Sequence, residues 1–161
     1  MSLPSLLENV KKRPGMYFPK VEFDVVAAFI TGFNLAGNGG LLLGFRQWLI
    51  VKLGYGNNLA WDALVLRLTF PEIESSSTQL LAQSENQKRA VESLFGLIET
   101  FLEERDATDG LRKIFLRYEG WLKRQDWYVP SSPQWIADDT GVAGKADAGH
   151  VLSSHAKHAC P

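Results

Sequence analysis

The residues best suited to bond making or metal binding lie near one end of the sequence. His150, His155, His158 and Cys160 are the only histidines and the only cysteine in the 161-residue chain. Imidazole and thiolate are the usual zinc ligands, but the spacing H-x4-H-x2-H-x-C matches no common zinc pattern. No metal and no other cofactor is expected. Residues 1–129 therefore contain neither His nor Cys. Ser-His-Asp and Cys-His nucleophile systems are excluded there, which leaves carboxylate or lysine chemistry. Glu103 and Glu104 are adjacent carboxylates, but neighbours on a helix point about 100° apart. A solvated polar face accounts for them, and no catalytic residue is assigned. Asp139, Gly141 and Gly144 are spaced loosely like a nucleotide-binding glycine box, with no strand before them and no helix after.

Charge narrows the partners. Residues 130–161 hold two of the 17 Lys and Arg and three of the 18 Asp and Glu, so the signs balance in the first 129 residues. Mixed signs and a net charge of −1 argue against a nucleic-acid footprint. No apolar run is long enough to cross a bilayer. The stretch "MSLPSLLENVKK" lacks the basic-then-apolar order of a signal peptide. A lone cysteine fits a reducing, cytoplasmic setting.

Helical periodicity organises the first 129 residues into six predicted helices, with a polar tail, 130–161, expected to be poorly ordered. The capping-box pattern Ser5-Leu6-Leu7-Glu8 opens the first helix, to about Lys12. Arg13 precedes a proline and is pushed out of helical geometry. Phe23, Val26, Ala27, Ile30 and Phe33 mark the second helix, stopped at Gly37. "LLLGFRQWLIVKLG" reads as a central helix with Leu42, Phe45, Leu49 and Lys52 in line, although Ile50 and Val51 keep a strand open. Asn58 is placed to cap a fourth helix carrying Trp61, Leu64, Val65 and Leu68. The run "EIESSSTQ" reads as exposed. The fifth helix has the clearest stripe, through Val91, Leu94, Phe95, Ile98, Phe101 and Leu102. Thr108 or Asp109 begins a sixth, with Leu111, Ile114, Phe115, Tyr118 and Leu122 inward. The expected fold is all-α, a compact bundle. Trp135 and Ile136 in the tail are expected to dock on it.

One segment, Arg13-Pro14-Gly15-Met16-Tyr17, resembles the N-terminal motif of the DNA gyrase B and type II topoisomerase ATPases. The helix that follows in that family carries a glutamate base and a magnesium-binding asparagine. Here "VVAAFITGFNLAG" has no acid after Asp24, and Asn34 has no carboxylate one turn before it, so no ATPase is expected. A broader resemblance covers residues 5–128. The motif "RPGMY", then "AFITGFNLA", "FRQWLIVKLG", "LAWDALVL" and "VESLFGLIETFLEE", is similar to the pattern of a small bacterial RP-x-MY family of mostly unknown function. Some of its members look like immunity proteins of polymorphic or contact-dependent growth-inhibition toxin systems.

That resemblance implies a cytoplasmic, non-enzymatic binding protein whose partner is the C-terminal domain of a cognate toxin. Partner contact is expected at the acidic edge Glu92, Glu99, Glu103, Glu104 and Asp106, and at Trp121, Trp127 and Tyr128. Trp48 and Trp61 are assigned to the core. The Arg13 turn is expected to tuck Met16 and Tyr17 onto the core while Arg13 reaches a carboxylate or helix end; it serves as a staple or as the rim of a groove. Two other classes stay open. One is a small phosphate- or nucleotide-binding protein or enzyme using the Arg13 turn, and the other is a structural or regulatory homodimer.

Overall fold

The computed structural model describes residues 4–72 and 77–129. Among them it is all-α, with seven helices and no strand. The predicted tail, with His150, His155, His158 and Cys160, the Asp139–Gly144 box and Trp135-Ile136, lies outside the described residues.

Helix α1 spans Ser5–Lys12, as its periodicity required. The capping box does not form. Pro4 occupies the N-cap, its backbone angle set by the ring, and Ser5 becomes the first helical residue with no side-chain cap. A short 3-10 turn, Pro14–Met16, follows. It exposes the side chains expected to be tucked in: Met16 is 73% exposed and Tyr17 39%. Phe18 is buried instead and meets Phe29 edge-on at 5.4 Å. Arg13 is exposed and makes no ion pair or side-chain hydrogen bond among the described residues.

Helix α2 is Phe23–Ala36. Its first amide is capped across the fold: Phe23 N–H donates to Gln87 Oε1 at 2.7 Å, and Gln87 Nε2 donates to the Leu81 carbonyl at 2.9 Å. The Asn38-Gly39 hinge takes left-handed backbone angles. Asn34 Oδ1 accepts from Leu42 N, and Arg105 donates to the carbonyls of Gly40 and Leu41, so the loop is tied at both sides.

Helix α3 is Phe45–Leu53, not a strand. It starts later than its apolar run because Gly44, at φ +86°, turns the chain. Helix α4 is Trp61–Thr69, with Ala60 rather than Asn58 at its N-cap. The described residues of the run expected to be exposed, Glu72 and Ser77 to Gln79, are exposed; the end of that run nevertheless opens a helix, α5, Ser77–Leu81, which buries the Leu80 and Leu81 that follow it. Helix α6 is Ser84–Asp106, and every residue of its predicted stripe is buried. Helix α7 is Gly110–Leu122; Asp109 is its N-cap, without a side-chain cap bond. Ile114 is buried and Tyr118 and Leu122 pack against the core as expected, whereas Phe115 is exposed and Trp121 is buried in its stead.

Helix α6 runs through the core and packs against α2, α4 and α7, while α3 lies on α4 and α7. At the centre, Phe45 sits 5.1 Å from Phe101, 5.9 Å from Trp61 and 6.0 Å from Trp48. Rings at these separations add pair energy of about 0.5–1.5 kcal/mol beyond their burial. Trp48 is buried as assigned, and Trp61 is half-buried, its ring backed by Phe45.

Candidate functional site: an aromatic cleft beside the 54–60 loop

The loop between α3 and α4 has no secondary structure of its own, so its shape depends on side chains that reach it. Gly54 and Gly56 take positive φ angles of 85° and 93°. Arg46 of α3 donates through Nε to the Leu59 carbonyl at 2.9 Å and through its terminal nitrogen to the Asn57 carbonyl. From α7, the Tyr118 hydroxyl donates to Asn57 Oδ1 at 2.6 Å, and Trp121 Nε1 donates to the Gly54 carbonyl at 3.0 Å. Bonds to guanidinium are stronger than neutral ones, so Arg46 is the principal tie.

These ties create a cleft of about 370 Å³ between the loop and the end of α7. One wall is Tyr55, Asn57 and Asn58; the other is Trp121, Gln125 and Trp127. The aromatics form a ladder. Tyr118 stacks on Trp121 at 5.9 Å and 14°, and Trp127 meets the far edge of Trp121 at 6.1 Å. Trp121 is buried, but Trp127 is 57% exposed and Tyr55 51%. Gln125 Nε2 is turned onto the Trp121 carbonyl at 2.9 Å, which fixes the wall that carries Trp127. The cleft is thus two presented aromatic rings framed by uncharged amides.

Of the aromatic residues predicted from sequence, Trp121 and Trp127 come together here. Tyr128 is half-buried and does not line the cleft. Tyr55, Asn57, Asn58 and Gln125 were not anticipated. Tyr55, Asn57 and Asn58 belong to the stretch "YGNN", whose Gly and Asn residues favour a turn, and nothing local pairs that turn with α7.

The predicted acidic edge is largely engaged within the chain. On α6, Glu92, Glu99, Glu103 and Asp106 fall within about 60° of one another, while Glu104 points about 100° away from Glu103. Glu99 joins Lys11 of α1 at 2.6 Å. Glu104 pairs with Arg117 at 2.7 Å, Asp106 with Arg105 at 2.8 Å, and Glu92 with Lys88 at 3.9 Å. Burial pushes the Glu104 carboxyl up, but the Arg117 guanidinium, helped by Trp48 and Lys52, holds it below its ordinary value. The hydrogen bond and charge of Arg105 likewise lower Asp106. Only Glu103 lacks a cationic partner among the described residues.

A second groove, about 530 Å³, brings the Arg-Pro-Gly turn to α6. Val21, Val91 and Phe95 form its floor, Pro14 one edge, and Lys11, Lys88 and Glu92 the rim. No cluster of three or more His, Cys, Asp or Glu side chains suited to a metal occurs among the described residues. No described helix is long and apolar enough to cross a membrane.

No protein-family model, curated protein or solved structure matches the chain.

Proposed function

We propose that the protein is a non-enzymatic, cytoplasmic binding module, and within that class an immunity protein that occupies the active site of a cognate toxin domain. The observation that carries this reading is the aromatic cleft. Trp and Tyr are enriched at interface hot spots because a rigid ring desolvates a large area at low entropy cost. Tyr55 presents its ring on the loop tied by Arg46, Tyr118 and Trp121, and Trp127 presents its ring from the segment after α7, against Trp121 and beside the bonded Gln125, so little order has to be gained on binding. The acidic edge contributes less than its charge count suggests, since four of its five carboxylates already have an intramolecular cation. Complementarity is chiefly steric and aromatic.

The test is affinity capture from a lysate of the native host with the full chain as bait, read by mass spectrometry. One toxin-like polypeptide is expected in stoichiometric amount. Trp127→Ala should weaken its capture by about 30-fold, the equivalent of a hot spot near 2 kcal/mol, at unchanged melting temperature. Recovery of bait alone, or capture indifferent to both Trp127→Ala and Tyr55→Ala, would sink the proposal.

A second reading rests on the groove beside Pro14. Two lysines over an apolar floor suit a small phosphate-bearing ligand with an apolar body. It requires a rise in melting temperature with ATP that Lys11→Ala and Lys88→Ala remove.

A further inference from the structure

A third groove, of about 610 Å³, lies on the outer face of α2 where it meets the start of α4. Its floor is made of small residues: Ala27, Ala28, Gly32 and Ala60. Leu35 and Trp61 stand as walls. Leu35 is 68% exposed, and the Trp61 ring is braced from behind by Phe45. Asp24 and Asp62 complete the lining, and neither has a cationic partner among the described residues. Cations are absent from the lining altogether.

Gly32 is informative. A Cβ placed on it would meet nothing within 4 Å, so no packing within the described chain calls for glycine. A glycine in a helix interior costs about 0.5–1 kcal/mol relative to alanine. On this face it leaves room for an outside backbone to come close.

We propose that this groove receives an amphipathic helix of a partner protein, bearing Arg or Lys to face Asp24 and Asp62 of the lining. Three observations select that occupant. The α2 lining residues recur at helical spacing from Asp24 to Leu35, a face about 16 Å long, which matches the small-residue contact of two crossed helices. The floor presents no unsatisfied polar group: Thr31 donates its hydroxyl to the Ala27 carbonyl at 2.9 Å. A helix satisfies its own backbone bonds on such a surface, whereas an extended strand would leave its amides without partners. Finally, a lining with two carboxylates, an indole and no cation is complementary to guanidinium or ammonium in both charge and ring electrostatics. Both acids also sit in helix first turns, where a carboxylate favours the helix dipole, so their removal costs a little stability as well.

This inference rests on the reading of the chain as a binding module, but not on the aromatic cleft. It is tested by amide NMR on the full chain. The titrant is a synthetic helical peptide with an Ala/Leu face bordered by arginines. Saturable shifts are expected at Asp24, Ala28, Gly32 and Asp62. Asp24→Asn with Asp62→Asn should weaken binding by about tenfold, the scale of a lost charge pair worth about 1.4 kcal/mol. Gly32→Leu, which keeps both acids, should abolish it. Absent shifts at this face, equal binding of a peptide with glutamates in place of the arginines, or indifference to Gly32→Leu would overturn the proposal. So would concentration-dependent shifts there without peptide, because a second copy would then be the occupant. The peptide requires no native toxin, so failure of the capture experiment and failure of this one are separable.

Discussion

The same substitution, glycine to alanine, should have opposite signs at different positions of this chain. Gly110 opens α7 against the last turn of α6. A Cβ there would lie on the Glu104 and Arg105 carbonyl oxygens and 2.7 Å from the Arg105 carbonyl carbon. Backbone cannot swing aside as a side chain does, so α7 must retreat by something on the order of 1 Å. Overpacking alone costs about 1–3 kcal/mol. The retreat also loosens Ile114 and Trp121, which are 1% and 6% exposed. Gly110→Ala should therefore cost about 3 kcal/mol or more, a fall of roughly 10 °C in Tm at the 2–4 °C per kcal/mol expected for this size. Gly32 and Gly96 lie inside helices with nothing within 4 Å of an added Cβ. Alanine at either should stabilise by about 0.5–1 kcal/mol. Urea unfolding followed by tryptophan fluorescence measures all three. A Gly110→Ala variant within about 0.5 kcal/mol of the parent would refute the close α6–α7 corner. A destabilised Gly32→Ala variant would show that the outer face of α2 is already covered in the free protein.

Two further outcomes follow from the bonding. Gln87→Leu removes both the cap on Phe23 N–H and the donor to the Leu81 carbonyl, and should cost about 2–4 kcal/mol in urea unfolding, with faster hydrogen exchange at the start of α2. Gln87→Glu, which keeps the acceptor, should preserve protection at Phe23; equal loss in both variants would contradict the assignment. The Glu104 carboxyl is held below its ordinary value of 4.5, so its pairing with Arg117 stabilises the fold above that pH and the contribution disappears as pH falls through the lowered value. With both side chains more than a third exposed, the effect is screened to less than about 1 kcal/mol, and a Tm–pH profile of Arg117→Gln should differ from the parent by no more than that.

The parts of the fold legible in sequence are those whose signal is local and repeated. The α6 stripe recurs over three turns, and each member is buried where the period places it. One local signal lost to its own neighbour: Ser5 and Glu8 spell a capping box, yet Pro4 takes the cap position. Others failed where a distant contact decided the outcome. Leu80 and Leu81 form too short an apolar pair to stand out in a polar run, and only packing against α6 makes α5 a helix. In α7 the buried residues Gly110, Ile114 and Trp121 define a face rotated by about 70° from the one centred on Leu111 and Tyr118, which leaves Phe115 outside it. The rotation follows from the close seating of Gly110 on the α6 backbone, which no window of local sequence contains. The acidic edge was visible as charge, but two of its four partners, Lys11 and Arg117, lie on other helices, so that part of its neutralisation was not.

The same distinction explains where binding surfaces are found. The loop running from Gly54 to Ala60 is held by α3 through Arg46 and by α7 through Tyr118 and Trp121. Its first half walls the aromatic cleft and its end walls the α2 groove. Loops ordinarily cost binding energy because they must be ordered first. Here the ordering is done by hydrogen bonds that the free protein already makes. Trp61 is similarly fixed by Phe45 before any cation reaches it. Both candidate surfaces therefore combine accessible rings with supports anchored in the bundle, the arrangement in which an aromatic side chain contributes most to an interface because it surrenders the least freedom on binding.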